Sequence, residues 1–200
     1  SADLADHAAA RALVDKAAQL AGRPLSGLIN SASIFDYDAP GDIRPDVLDV
    51  AIAVNLRAPA LLSERFFAQA NRGHDNCIIN MLDQKLWNMN PDFFSYTLSK
   101  SGLLAATDMM ARAFAPTVRV NAIAPGLLLP SFDQTQAEFE TAASRNPMGR
   151  PIDLDNITAS AEFLLGNTAL TAQVLHVDNG QRLAASARDV MFDTRTSDKS

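Results

Sequence analysis

The sequence predicts an α/β protein with a parallel sheet, because short apolar runs of strand length alternate with longer segments of helical periodicity. Four such runs, each bounded by polar or turn residues, indicate buried strands at 25–30, 77–82, 118–123 and 173–177. With 200 residues, of which 48% are hydrophobic, the chain is long enough for one sizeable core. We therefore expect one domain over residues 1–183, followed by a polar tail over 184–200.

Four helices are expected around these strands, at 8–20, 46–71, 92–114 and 153–165. Leu13, Val14, Ala17 and Leu20 form the apolar stripe of the first, which Gly22 and Pro24 close. The second tolerates Pro59 as a kink, and Pro116 stops the third.

The stretch 127–151 is irregular, apart from a polar helical piece at 134–144. It is too long for a plain connection and suits a lid or a substrate loop.

Composition excludes several classes of function. A net charge of −6 and a sequence pI of about 4.9 argue against a nucleic-acid surface. Cys77, the single cysteine, lies in an apolar strand, so we expect a buried thiol and a reducing, cytoplasmic setting. No apolar run is long enough to span a membrane, and the three histidines lack metal-ligand spacing, so we expect neither a membrane segment nor a metal site.

Tyr96 and Lys100 are the first candidates for chemistry. They are spaced i and i+4 on a predicted helix, so both side chains leave the same face one turn apart. A neighbouring ammonium favours phenolate and would lower the pKa of Tyr96 toward working pH. Asp83, thirteen residues earlier, ends a strand and can point to the same place. The pair alone is weak evidence of a catalytic site, because such pairs arise by chance on many solvated helix faces.

The ends of the predicted strands strengthen the assignment. Asn30 and Ser33 follow the first strand, Asp83 the second, and Pro125-Gly126 the third. Ligands of parallel α/β sheets lie beyond the carboxyl ends of the strands, so these residues are expected to line one crevice.

Four motifs together resemble the short-chain dehydrogenases/reductases in order and spacing over residues 3–183: Asn30-Ser31-Ala32-Ser33, Val54-Asn55-Leu56, Tyr96-Thr97-Leu98-Ser99-Lys100 and Val120-Asn121-Ala122-Ile123-Ala124-Pro125-Gly126. The resemblance implies a doubly wound, Rossmann-like sheet, NADPH as cofactor and a homotetramer with the Asn55 and Tyr96 helices at its interface. It makes Tyr96 the general acid and Lys100 the ligand of the nicotinamide ribose. Asn55 would hold a water of the proton relay, Asn30-Ser31-Ala32-Ser33 would shape the cofactor cleft, and Pro125-Gly126 would lie against the nicotinamide.

Two departures from that pattern resemble the pteridine reductases and dihydromonapterin reductases. Asp83 stands where the wider family has a catalytic serine, and Ser33 is followed by Ile34-Phe35. The resemblance implies that Ser33 hydrogen-bonds the pterin or a cofactor phosphate and that Phe35 stacks on the pterin ring, with Asp83 and Tyr96 also at the substrate. Phe35 as an aromatic plug at the core edge, and Asp83 as a cap of the next loop, remain the structural alternatives.

A third departure is that the chain contains no Gly-rich phosphate loop. In the family, several elements precede the Asp-Leu pair that matches Asp3-Leu4, which would contact the adenine. The fold is therefore expected to be N-terminally incomplete, with the strand at 25–30 exposing an apolar edge.

Three functions remain open at this point. The first is NADPH-dependent reduction of a pterin-like ring, and the second is short-chain reduction of another carbonyl or enoyl substrate. The third is a non-catalytic relic without cofactor affinity, which retention of Tyr96, Lys100 and Asn55 disfavours.

Overall fold

The computed structural model describes residues 2–130, 134–184 and 186–193. Its strands are β1 (Gly27–Asn30), β2 (Cys77–Met81), β3 (Arg119–Pro125) and β4 (Val174–Val177). Its α-helices are α1 (His7–Ala21), α2 (Pro45–Ile52), α3 (Ala58–Gln69), α4 (Phe94–Phe114), α5 (Gln136–Ala143), α6 (Leu154–Gly166) and α7 (Val190–Asp193). A π-helical turn (Ala53–Arg57) joins α2 to α3, and 3₁₀ turns occupy Gln84–Trp87 and Gln181–Leu183.

The four strands form one parallel sheet in the order β1-β2-β3-β4. Leu28 aligns with Ile78, and Ile78 aligns with Val120, so the carboxyl ends of the first three strands lie side by side. The predicted α/β class and its parallel sheet are confirmed, and the crevice expected at this edge stays a prediction.

Alternation along β2 shows that both faces of the sheet are covered. Ile78 packs in a core cluster with Val14 of α1 and Phe66 of α3, whereas Ile79 packs on the other face with Leu164 of α6. Helices therefore cover both faces, as a doubly wound sheet requires. Cys77 is 1% exposed, which confirms the buried thiol.

The second predicted helix is interrupted. Its middle forms the π-helical turn at Ala53–Arg57, directly before Pro59. Because Pro59 has no N–H, the carbonyl of Asn55 receives no α-helical hydrogen bond from it. π-Helical turns are frequent at functional sites, and here the turn contains a predicted site residue.

β1 lies at the edge of the sheet, next to an apolar cleft. Ile29 is 46% exposed, and the cleft of about 300 Å³ is lined by α1, β1 and the residues that follow β1. Leu20, which was expected to extend the apolar stripe of α1, is 90% exposed. The exposed apolar edge predicted for the strand at 25–30 is present.

Within the described ranges, no helix is long and apolar enough to cross a membrane. Of the irregular stretch 127–151, residues 131–133 lie outside the described residues, as do residues 185 and 194–200 of the predicted tail.

Candidate active site

The first turn of α4 is held by a carboxylate from a distant loop. Asp38 Oδ1 accepts a hydrogen bond from the backbone N–H of Ser95 at 2.9 Å, and Asp38 Oδ2 accepts one from the Ser95 hydroxyl. Just before the helix, Phe93 has φ 54° and ψ 52°, a left-handed conformation that is strained for a bulky residue. This entry geometry fixes the rotation of α4 and turns Tyr96 and Lys100 inward, where both are buried.

Asp83 contacts Tyr96 directly. The Tyr96 hydroxyl donates a hydrogen bond to Asp83 Oδ2 at 2.7 Å. The other carboxylate oxygen, Oδ1, accepts the backbone N–H of Lys85 at 2.8 Å and so caps the 3₁₀ turn at Gln84–Trp87. Asp83 is therefore both a structural cap and the partner of Tyr96.

Lys100 lies one turn further along the same face of α4. Its Nζ donates to the carbonyl of Met81 at 2.7 Å and lies 5.7 Å from the centre of the Tyr96 ring. Burial lowers the pKa of Lys100 to about 8, although the Asp83 carboxylate acts in the opposite direction.

The acid pair is shifted toward its protonated forms. Burial raises the pKa of Asp83 above its usual range, against the hydrogen bonds from Lys85 and Tyr96. Burial, followed by the charge of Asp83, raises the pKa of Tyr96 well above its ordinary value. The expectation that Lys100 lowers the pKa of Tyr96 is therefore wrong for this structure, because burial and a closer carboxylate outweigh the ammonium.

Asn55 anchors the loop after β1. Its Oδ1 accepts from the backbone N–H of Ile34 at 2.8 Å and from the Ser33 hydroxyl at 3.2 Å. Its Nδ2 donates to the Ile34 carbonyl at 2.9 Å and to Ser99 Oγ at 3.0 Å. All four side-chain positions are engaged, so this side chain positions Ser33, and its part in a water relay stays a prediction.

The loop that follows β1 opens toward the apolar cleft. Asn30 is 6% exposed; its Nδ2 donates to Asn80 Oδ1 at 2.8 Å, but within the described chain its buried Oδ1 has no hydrogen-bond partner. Ser31 and Ala32 are exposed beside it, and Leu4 lines the same cleft. Asp3 accepts a local hydrogen bond from Ala5 on the surface. Asp3 and Leu4 thus lie on the β1 side of the site, away from Asp83.

Pro125-Gly126 closes the opposite wall. The N–H of Gly126 donates to the carbonyl of Val177 at 3.0 Å, and a Cβ there would lie 2.6 Å from Gln181 Oε1 and 2.8 Å from Ile152 Cδ1. A side chain at this position would have to displace the ends of Gln181 and Ile152 and would lie 3.1 Å from Asp178 Cα, just after β4.

Phe35 lies beside the acid pair. Its ring stacks on Phe93 at a centroid distance of 3.9 Å and meets Tyr96 edge to face at 4.7 Å. Phe93 covers one face of Phe35. A cavity of about 60 Å³ adjoins this cluster, with Phe35, Asp83, Gly126 and Gln181 among its lining residues.

Sequence reasoning missed the residues that close this cavity. Asp189 and Val190 line it from the far end of the chain, and the carboxylate of Asp189 pairs with the buried ammonium of Lys85 at 2.8 Å. Asp189 is 104 residues from Lys85, and the sequence after Ala184 has no periodicity, so no sequence pattern indicated this contact. Phe93 could have been noticed as part of an aromatic pair just before Tyr96.

These features define a doubly wound oxidoreductase fold with a tyrosine–lysine pair at the carboxyl ends of its strands. A family model described as Enoyl-(Acyl carrier protein) reductase matches residues 1–182, and the chain belongs to the short-chain dehydrogenase/reductase family.

Pterin and folate reductases are among its similar proteins. FolM Alternative dihydrofolate reductase 1 from Brucella suis, crystallised in complex with NADP, superposes with a TM-score of 0.87 at 38% identity, covering 94% of this chain and 75% of that one. Dihydromonapterin reductase of Citrobacter koseri is 28% identical over 80% of this chain and 67% of its own length. Another relative, Protein FixR of Bradyrhizobium diazoefficiens, is 31% identical over 90% of this chain and 68% of its own length.

Proposed function

We propose that this protein reduces a pterin-like ring, such as a dihydropterin, to its tetrahydro form with NADPH as the hydride donor. The hydrogen bond of 2.7 Å between Tyr96 and Asp83, beside the Phe35 ring, carries this proposal. A flat, polar heterocycle needs an aromatic platform together with an acid that can both donate and accept a proton. The names of the pterin and folate reductases among its relatives support the same substrate class.

In this mechanism the acid pair supplies the proton. Reduction of a ring C=N bond adds hydride to carbon and a proton to nitrogen, so an acid must stand beside that nitrogen. Tyr96 and Asp83 share a proton as a coupled unit, and the raised pKa values of both groups keep it in place until the substrate takes it. Phe35 would orient the ring by stacking. Ser33, whose hydroxyl donates to Asn55, would present its oxygen as an acceptor to the pterin, and a contact with a cofactor phosphate would need that proton to leave Asn55.

The residues present fit the nicotinamide end of the cofactor. Asn30 has a buried Oδ1 without a partner among the described residues, and the buried Lys100 amine lies beside Tyr96. Lys100 would bind the nicotinamide ribose, Asn30-Ser31-Ala32-Ser33 would line the cleft, and Pro125-Gly126 would lie against the ring. NADPH supplies the hydride when it is bound. No Gly-rich phosphate loop occurs in the 200 residues, and Asp3-Leu4 is the proposed adenine contact.

A second candidate is reduction of a carbonyl or enoyl substrate of another kind. The name of one relative, the Probable galactose dehydrogenase GalD of Rhizobium meliloti, which is 26% identical, favours keeping it. We further propose a cytoplasmic homotetramer with the helices of Asn55 and Tyr96 at its interface, and a single domain over residues 1–183.

Asp83 separates the two candidates. Asp83→Asn keeps the shape of the side chain but cannot hand on a proton, so it should lose most pterin reduction. Asp83→Ser should also lose pterin reduction, yet keep or gain activity on a simple carbonyl, where a hydroxyl suffices. The measurement is kcat/KM for both substrate types against pH, in the full-length native protein and the two variants. Equal losses on both substrates would reduce Asp83 to the cap of the 3₁₀ turn.

A further inference from the structure

Residues 186–193, which we call the C-terminal segment, are fastened to the loop that follows Asp83. Asp92 accepts from Arg188 Nε at 2.8 Å and from the backbone N–H of Asp189 at 2.7 Å. Phe192 stacks on Phe93 at a centroid distance of 6.0 Å, and Phe93 also stacks on Phe35. The segment therefore rests on the same aromatic cluster as the proposed substrate platform.

A buried ion pair forms the most direct link between this segment and the acid pair. The Lys85 side chain is 4% exposed and that of Asp189 is 15% exposed, and Nζ lies 2.8 Å from Asp189 Oδ2. Lys85 Nζ also donates to Asn90 Oδ1 and lies 5.8 Å from the centre of the Phe93 ring. The backbone N–H of this same lysine holds Asp83 Oδ1. One residue thus contacts both carboxylates, one with its main chain and the other with its side chain.

We propose that Lys85 and Asp189 are positioning residues, through which the docked C-terminal segment fixes the place and the charge environment of Asp83. The inference rests on the proposed function only in treating Asp83 as the group that exchanges a proton. Asp83 and Asp189 line the same cavity, and at about 60 Å³ it is far smaller than the roughly 300–1,000 Å³ of ordinary ligand sites. The docked segment therefore closes the site, and its carboxylate belongs to the electrostatic surroundings of the acid pair.

The charges around Asp83 predict the direction in which each substitution should shift the pKa of Asp83. Asp83 faces Tyr96 and Lys100 of α4, Lys85 of its own 3₁₀ turn and Asp189 of the C-terminal segment. The charge of Asp189 raises the pKa of Asp83. Lys85 offsets this effect, because its ammonium pairs with the Asp189 carboxylate. Asp189→Asn removes the negative charge and leaves the positive one, so the pKa of Asp83 should fall. Lys85→Met removes the positive charge that faces Asp189, so the pKa of Asp83 should rise.

The test reads the ionisation of Asp83 without cofactor or substrate. In the full-length native protein labelled with ¹³Cζ-tyrosine, the resonance that disappears in Tyr96→Phe is the one from Tyr96. That resonance shifts as its partner Asp83 ionises. We expect the midpoint to move down in Asp189→Asn and up in Lys85→Met, each by about one pH unit. The double variant Lys85→Met/Asp189→Leu should return close to the wild-type midpoint.

Controls separate this role from a merely structural one. Asp108→Asn breaks an exposed ion pair with Arg112 and should leave the midpoint unchanged. Shifts of the same sign in the two single variants, or no shift in either, would overturn the proposal. If a single variant fails to fold, a chain ending at Ala184 removes Asp189 without leaving Lys85 buried, and an unchanged midpoint there would refute it equally. Absence of pterin turnover in the native protein, with the opposite shifts intact, would contradict the proposed function but not this inference.

Discussion

Lys100 is expected to destabilise the fold that it serves. Burial lowers its pKa from 10.5 to about 8, and each unit corresponds to about 1.4 kcal/mol. The folded state therefore carries a penalty of about 3 kcal/mol whenever Lys100 is charged. Lys100→Met removes that penalty and forfeits the hydrogen bond to the Met81 carbonyl, which contributes about 1 kcal/mol. At pH 7 the variant should be more stable than the wild type by about 2 kcal/mol.

The sign of the pH dependence follows from the lowered pKa. Between pH 8 and 10.5 the unfolded chain binds a proton at Lys100 that the folded chain does not, so wild-type stability rises with pH across this window. The advantage of Lys100→Met should be complete below pH 8 and lost by pH 10.5. Urea unfolding of the full-length native protein and the variant at pH 7 and pH 10 measures it. Lys16→Met, which removes an exposed lysine of α1, is the matched control. A variant that is less stable at pH 7, or a difference independent of pH, would refute the reasoning.

Three further outcomes are expected. Tyr96→Phe should lower turnover by about 10²–10⁴ while NADPH binding persists, because only the donated proton is lost; retention of more than about a tenth of the activity would mean that the role is misassigned. Phe35→Ala should raise KM for a dihydropterin far more than it changes NADPH binding, and an unchanged KM would favour another substrate class. Residues 1–200 expressed alone should bind NADPH very weakly by calorimetry and tend to aggregate, because they contain no Gly-rich loop and β1 is an exposed edge; a monodisperse protein with micromolar affinity would contradict this.

The fold was predictable because its signals are local. The apolar strand at Cys77–Met81 and the Gly22 that ends α1 in a left-handed conformation each depend on a few neighbouring residues. Tyr96 and Asp83 were also accessible from sequence, since one lies on a periodic helix and the other directly follows a strand. Their contact needed only the parallel sheet that brings both elements together.

The closure of the site depends on contacts that are not local. Asp189 and Lys85 are 104 residues apart, and neither lies in a periodic segment that would predict burial. The left-handed Phe93 is equally hidden, because it precedes a helical turn that Asp38 binds from 57 residues away. Sequence patterns identify elements, whereas these contacts arise from how loops between elements pack.

The pKa shifts of the three ionisable groups in the site agree with the proposed role of Tyr96 as a proton donor. Burial raises the pKa of Asp83 and of Tyr96 and lowers that of Lys100, so all three are driven toward their neutral forms. A tyrosine that removes a proton from an alcohol must be available as phenolate, which a raised pKa opposes. A tyrosine that delivers a proton must arrive protonated, which the same shift favours. The carboxylate of Asp83, at the position of the family's usual serine, therefore adds to burial in favouring the protonated form of Tyr96, as the proposed proton donation requires.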